Sequence, residues 1–235
     1  MPDETHLVCA FSHRQLGNMS LFYGDTKNAL SNREKFLASF DIDYRDLVCA
    51  KQIHSDGIRQ VSEQDKGCGA LSFEDSLADT DALITDVKNL PLAIFTADCL
   101  SVFLYDPVKP AIGLVHAGRR SSKEHITLKT VQRMRKVFQT DPATLRLSFG
   151  PAIGACCYEV SQEVCTYFTE GLVERNNRTY LDLVAVNRIE LLDSGVRPDN
   201  LMKDSICTSC HNDNFFSYRK EGKTCGRLMS VMMLR

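Results

Sequence analysis

The 235-residue sequence predicts an α+β fold, a single domain over residues 1–235 with mixed β-sheets flanked by helices. Three observations predict it. Short β-rich runs outnumber the helical stretches. The two kinds of segment are intermixed without a regular βαβ alternation. No composition break, internal repeat or low-complexity tract divides the chain.

Leu7–Ser12 alternates loosely and reads as a first strand. Ser31-Asn-Arg-Glu34 has the S-x-x-E form of a capping box, with Phe36, Leu37 and Phe40 following at helical spacing, so a helix is expected there. Leu47–Ile53 and Gly57–Val61 read as extended segments on either side of His54. The acidic, Gly-containing stretch Asp65–Asp79 reads as a surface loop, and Ala82–Thr85 and Leu92–Thr96 resume the strand pattern. Leu100–Tyr105 and Ala111–Val115 are separated by Asp106-Pro107-Val108-Lys109-Pro110, a turn signal between apolar runs, so the pair reads as a buried hairpin. Ser121-Ser-Lys-Glu124 is a second capping box. It precedes Ile126, Thr130, Val131, Met134, Val137 and Phe138 on one helical face. Thr144–Phe149 reads as a strand. Ser161 is placed to cap a helix running to about Glu170, with Gly171 after its end. Leu183–Ser194 is expected to be an amphipathic helix closed by Gly195. Phe215–Arg219 and Leu228–Leu234 are expected to be the last strands.

Hydrophobic residues make up 43% and charged residues 25%, values ordinary for a soluble globular protein. A net charge of −2 gives no electrostatic reason to expect nucleic acid or an anionic membrane as partner. No apolar run approaches the roughly 20 residues needed to span a bilayer. The start, MPDETHLVCAFSH, lacks a basic segment leading into an apolar one, so the expected location is cytoplasmic. A reducing compartment argues against a disulfide framework for the ten cysteines. Cys9, Cys49 and Cys165 sit within apolar runs and read as core filler.

Cys99 fits that reading less well. It precedes the first strand of the expected hairpin, and His116 follows the second, so the two should meet at the open end. A thiol and an imidazole so placed suit two chemistries. One is nucleophilic catalysis of acyl transfer or deamidation, with Cys99 attacking and His116 as base. The other is metal ligation. His54, in Lys51-Gln-Ile-His54, occupies a similar strand end, and the three together are a candidate Cys-His₂ zinc site. After His116, Ala117-Gly118 leads towards a helix start, where free backbone N–H groups favour an anion. Arg119 and Arg120 stand beside it as candidates to clamp a phosphate. Cys207-Thr-Ser-Cys210-His211 fits the C-x-x-C-H spacing of haem attachment, which the lack of an export signal disfavours. Core packing beneath Phe215-Phe216 is the expectation there, with a redox-active pair as the alternative. No Walker, Rossmann or nucleophile-elbow motif occurs.

Seven motifs then appear in order: KQIH (51–54), TADC (96–99), HAG (116–118), GPAIGACCYEV (150–160), CTSC (207–210), FFSYR (215–219) and GR (226–227). Together they resemble the laccase-domain family, also called polyphenol oxidase, peptidoglycan editing factor or multifunctional purine nucleoside phosphorylase. Arg14, with Asn32-Arg33, loosely matches the family's N-terminal part and joins the substrate or phosphate candidates. The resemblance implies that His54, Cys99 and His116 bind zinc and form the catalytic centre. It implies phosphorolysis of adenosine, inosine and methylthioadenosine, with adenosine deamination as a second activity, so that a purine nucleoside and phosphate are the expected partners. Copper, the family's older association, is less favoured, because six scattered histidines are too few for a blue site plus a cluster. The competing expectations are a metal-free cysteine hydrolase or deamidase using Cys99 and His116, and a peptidoglycan-precursor editing or non-catalytic zinc protein. The chain departs from the family pattern in having His116-Ala-Gly-Arg-Arg-Ser121 where H-A-G-W-R-G is usual, and in containing no tryptophan. Ser101 replaces a common proline, and the R-x-G-G-V-S segment is reduced to Arg14-Gln-Leu-Gly17-Asn-Met-Ser20. The absent tryptophan predicts that an aromatic wall for the base is missing, and the departures together leave the zinc triplet intact while bearing on substrate choice.

Overall fold

The computed structural model describes residues 6–202 and 205–235. The acidic residues 1–5, part of the N-terminal stretch considered above, lie outside the described residues. The chain begins with β1 (Leu7–Phe11), α1 (Thr26–Ala38), β2 (Val48–Cys49), β3 (Ile58–Gln60) and β4 (Ala82–Thr85). There follow β5 (Leu92–Thr96), β6 (Leu100–Asp106), β7 (Ala111–Ala117), α2 (Arg119–Lys123), α3 (Ile126–Phe138) and β8 (Arg146–Phe149). Next come β9 (Glu159–Val160), α4 (Gln162–Cys165), β10 (Leu172–Arg175), β11 (Arg178–Leu181) and α5 (Leu183–Asp193). The last elements are α6 (Tyr218–Glu221) and β12 (Leu228–Leu234). The architecture is α+β, as the intermixed pattern predicts.

Two sheets form the centre. One is four-stranded, in the order β1-β12-β5-β2, and the other five-stranded, in the order β3-β4-β7-β6-β8. Helix α1 covers the outer face of the first, where Phe36 and Leu37 pack with Ala93, Met229 and Val231. Helices α3 and α5 cover the outer face of the second through residues such as Val131, Met134 and Leu191. Between the sheets lie Leu92, Ile94 and Met232 from one side and Phe103, Ile112 and Leu114 from the other. Burying a phenylalanine such as Phe103 contributes about 1.5–3 kcal/mol. This layering explains β12. Its odd-numbered residues Met229, Val231 and Met233 face α1, while Met232 and Leu234 face the second sheet, so all seven residues are buried. A strand covered on both sides reads as a continuous apolar run and loses the alternation of a half-exposed one. Ser230 and Ser101 join hydroxyls across the seam at 2.8 Å.

The hairpin of β6 and β7 forms in the register Leu100↔Ala117 to Asp106↔Ala111. Several boundaries differ from expectation, each for a local reason. Helix α1 starts at Thr26, because Asp25 caps it by accepting from the Asn28 amide at 2.8 Å, and Ser31 lies inside the helix. The second expected box does not start a helix either: Ser121 lies inside α2 and Glu124 is its C-cap. Gly118 is the N-cap of α2, and the Ser121 hydroxyl accepts from the Gly118 amide at 2.9 Å. His125, in the left-handed region at φ 59°, separates the short α2 from α3. Helix α4 ends at Cys165, and Gly171 (φ 74°) leads into a β10–β11 hairpin that the sequence reading missed. Asn176 and Asn177 both have positive φ at its turn, the chemistry of a two-residue I′ connection and the signal that marks it. Phe215–Arg219 is not a strand: Phe215 and Phe216 pack with Cys225 and Leu228, and Tyr218 begins α6. The 65–79 loop is partly inside, with Ala70 and Ser76 buried and Cys68 and Leu77 bonded to the Cys49 backbone. Of the cysteines expected in the core, Cys49 is buried, whereas Cys9 and Cys165 are half-buried. Cys207 and Cys210 do not pack into the core; they face Cys156 and Cys157.

Candidate metal centre

Three strand ends converge at one edge of the seam between the sheets. Strand β5 ends at Thr96 in the four-stranded sheet, and β6 begins at Leu100 in the five-stranded one. Ala97-Asp98-Cys99 is therefore a crossing between layers, and Asp98 takes φ 86° to make it. His54 follows the extended segment that leaves β2, itself at φ 63°. Gln52 fixes that segment as a strand neighbour would: its amide nitrogen donates to the Phe95 carbonyl at 2.9 Å, and its amide oxygen accepts from the Phe95 N–H at 2.7 Å. His116 is the penultimate residue of β7 and only 2% exposed.

Donor atoms of His54, Cys99 and His116 lie within 4.8 Å of one another. Cys99 Sγ is 3.8 Å from His54 Nε2, and the two imidazole rings meet edge to face with centroids 4.8 Å apart. Two imidazole nitrogens and one thiolate sulfur suit zinc, and a catalytic zinc ordinarily has three protein ligands. The structure thus brings together the three residues singled out by their strand-end positions.

Asp81, which the sequence reading did not single out, organises the group. Its Oδ1 is 2.7 Å from His116 Nδ1 and accepts from the His54 amide at 3.0 Å. Its Oδ2 accepts from the Ile53 amide at 3.2 Å, the Ser55 amide at 2.8 Å and the Ser55 hydroxyl at 3.0 Å. One carboxylate therefore holds His116 with its other nitrogen turned to the group, and shapes the turn that presents His54. A carboxylate behind a ligating histidine is the usual means of fixing its tautomer and orientation. Burial works against the Asp81 anion, yet His116 and the 54–55 amides hold its carboxyl below the ordinary aspartate range. The visible signal was an aspartate directly before an apolar strand, Asp81-Ala-Leu-Ile-Thr85.

Burial alone would raise the Cys99 thiol, but the attraction and hydrogen bonding of His116, joined by His54, bring it down to about 6. Burial likewise disfavours the His116 cation. The Cys99 thiolate and Asp81 outweigh it and hold the imidazole at about 9. Without a metal, thiolate and imidazolium thus stabilise each other, and the sulfur is already in the form that binds metal.

Gly118 explains the last letter of the HAG motif. A Cβ there would stand 2.8 Å from Cys99 Sγ and 3.0 Å from His54 Cδ2. Gly118→Ala is accordingly expected to weaken metal binding at this group by about 10- to 100-fold, the scale of losses when the support around ligands is disturbed. Competition with a chromophoric chelator measures this; an unchanged affinity would contradict the close approach.

The group lines a cavity of about 1000 Å³. Arg119 lines it. Arg120 is exposed and Arg14 is engaged elsewhere, donating to Glu221 at 2.8 Å and lying over the Phe216 ring; neither belongs to the lining. Arg219 and Arg227 do, from the FFSYR and GR motifs, which carry no role in the sequence analysis. The helix after His116 has five residues, and its N-cap amide is bonded to Ser121, so it offers less to an anion than expected. The missing-wall expectation is also corrected. Phe22, Tyr23, Phe73, Tyr158 and Tyr218 line the cavity, supplying aromatic faces from segments other than 116–121. Phe22 packs against Phe73 at 4.6 Å and Tyr23 at 4.8 Å, with Arg227 over Tyr23 at 4.0 Å.

An α+β protein with three metal-competent donors converging beneath an aromatic, arginine-bearing cavity is the class that fold and site define. Residues 10–235 match the family described as multi-copper polyphenol oxidoreductase laccase, and the chain belongs to that laccase-domain family. It is 31% identical over 216 residues to the purine nucleoside phosphorylase YlmD of Bacillus subtilis, covering 88% of this chain and 78% of the relative. It is 29% identical over 212 residues to adenosine deaminase RL5 from an unknown prokaryotic organism, covering 86% and 80%. The crystal structure of YlmD from Geobacillus stearothermophilus superposes with a TM-score of 0.95 at 29% identity, covering 100% of this chain and 94% of that one.

Proposed function

We propose that this protein is a zinc-dependent purine nucleoside phosphorylase acting on adenosine, inosine and methylthioadenosine, with adenosine deamination as an accompanying activity. The observation that carries the reading is the two-imidazole, one-thiolate donor set in the lining of a cavity with aromatic and cationic residues. The names borne by the relatives agree with it. His54, Cys99 and His116 would hold the ion, and Asp81 would keep both histidines aligned. When bound, zinc supplies an electrophile that lowers the pKa of water towards neutrality, the chemistry that deamination at C6 of adenine needs.

In phosphorolysis the glycosidic bond breaks, a phosphate oxygen bonds to C1′ of the ribose, and the departing purine takes up a proton. The aromatic faces of Phe22, Tyr23 and Phe73 are placed to stack on the base. Of the candidate arginines, Arg119 is the one we assign to phosphate, because it lines the cavity and Arg14 and Arg120 do not. Product analysis of adenosine and inosine with and without phosphate tests the reaction class. Free base and ribose 1-phosphate are expected only when phosphate is supplied; equal base release without it would refute phosphorolysis. Arg119→Ala is expected to raise KM for phosphate about 10- to 100-fold, the worth of a charge-assisted hydrogen bond. An unchanged KM would remove Arg119 from phosphate binding.

A second reading, a metal-free cysteine hydrolase or deamidase, is favoured by the lowered Cys99 thiol beside the raised His116 imidazole. Activity that survives complete chelation, together with rapid alkylation of Cys99, would establish it in place of the first. A closed, non-catalytic zinc site at this position has no comparable support, because the group offers three donors among the described residues.

A further inference from the structure

A second set of soft donors lies outside the cavity, where the CTSC motif meets the paired cysteines of GPAIGACCYEV. The loop after β8 and the segment before α6 run side by side. The Ala152 amide donates to the Ile206 carbonyl at 3.1 Å, and the Thr208 amide donates to the Ala152 carbonyl at 3.0 Å. This pairing draws Cys156, Cys157, Cys207 and Cys210 together, with all four sulfurs within 4.8 Å of one another. Cys210 Sγ is 3.4 Å from both Cys156 Sγ and Cys157 Sγ. Such separations are far longer than a disulfide bond of about 2.05 Å. They bracket the roughly 3.8 Å between sulfurs in a tetrahedron with zinc–sulfur bonds of about 2.3 Å. They are too short to reach separate irons of an iron–sulfur cluster. Local backbone supports the convergence. The Gly154 amide donates to Cys207 Sγ at 3.3 Å, and a Cβ at Gly154 would stand 3.3 Å from Cys156 Sγ and 3.4 Å from Cys207 Cβ.

We propose that Cys156, Cys157, Cys207 and Cys210 bind one zinc ion in a closed four-sulfur site, separate from the His54–Cys99–His116 group. Four thiolates complete a tetrahedron and leave no position for substrate, so the role is structural. The site ties the 150–158 loop to the 205–211 segment. Between them these carry Tyr158 on the cavity wall and Thr208, whose hydroxyl donates to Asp98 Oδ1 at 2.6 Å. Asp98 is the neighbour of Cys99 and also accepts from the Arg219 amide at 2.6 Å. The clamp thus braces the crossing that presents Cys99, without touching substrate itself.

Metal analysis of the chain purified under reducing conditions tests this. Two zinc ions per chain are expected in the unaltered protein, and one in the double variant His54→Ala/Cys99→Ala. X-ray absorption on that double variant should show four sulfur neighbours around the remaining ion. Cys210→Ser should lose this ion and keep the other; should Cys210→Ser fail to fold, the double variant still decides. Absence of zinc from the folded double variant would overturn the proposal. A remaining ion with nitrogen neighbours would overturn it, as would a disulfide joining 156 or 157 to 207 or 210 in the reduced preparation.

Discussion

Asp81→Ala is expected to cost about 3–5 kcal/mol of stability, the scale for removing one partner of a buried charged pair. The reason is the number of groups that depend on one carboxylate. Asp81 is fully buried, and its loss strands the amides of Ile53, His54 and Ser55 as well as His116 Nδ1. For a chain of this length, roughly 10 °C of melting temperature should be lost. The effect carries a pH signature. Because the folded carboxyl lies below its ordinary value of 3.8, its stabilisation is complete above that value and disappears as acid takes the pH through the lower folded one. Asp81→Asn separates size from charge: it keeps the volume but cannot accept from both the imidazole and the turn amides as the carboxylate does. Thermal melts and zinc titrations of the two variants measure these effects. A melting temperature unchanged in Asp81→Ala would remove Asp81 from its organising position.

Cys99→Ala is expected to reduce kcat/KM for nucleoside by about a thousandfold or more, equivalent to about 4 kcal/mol of barrier. It removes the only sulfur from the three-donor group and leaves two imidazoles, too few for a firmly held ion. The fold should persist, because Cys99 is half-buried and lies outside the apolar cluster packed between the two sheets. Circular dichroism and zinc content, measured beside activity, separate a lost ion from a lost fold. Full activity in the folded variant would exclude both the zinc and the cysteine-nucleophile readings.

The hairpin and its two chemical residues were legible because turn residues between apolar runs specify the pairing, and pairing specifies which ends meet. His54 was legible only as a strand end; its distance from Cys99 depends on the stacking of two sheets, which a linear pattern does not express. Asp81 went unnoticed for the same reason, since its partners lie 26 to 35 positions away in the chain. Ser31 and Ser121 misled because the S-x-x-E spacing also arises inside helices, where the decisive feature is which residue has extended backbone: Asp25 and Gly118 do. The paired asparagines at 176–177 did carry a readable hairpin signal. The aromatic lining was not predictable from the missing tryptophan, because Phe22 and Phe73 come from remote loops.

The three donors belong to no single layer: Cys99 is on the span joining the sheets, His116 is a rung of the five-stranded one, and His54 hangs from the turn beyond β2. An ion held there would act as a rivet through both plies and would couple chemistry to their alignment. Sliding of the plies by a fraction of an ångström, provoked at Phe103 or at the Ser101–Ser230 bridge, would change the spacing of the three donors.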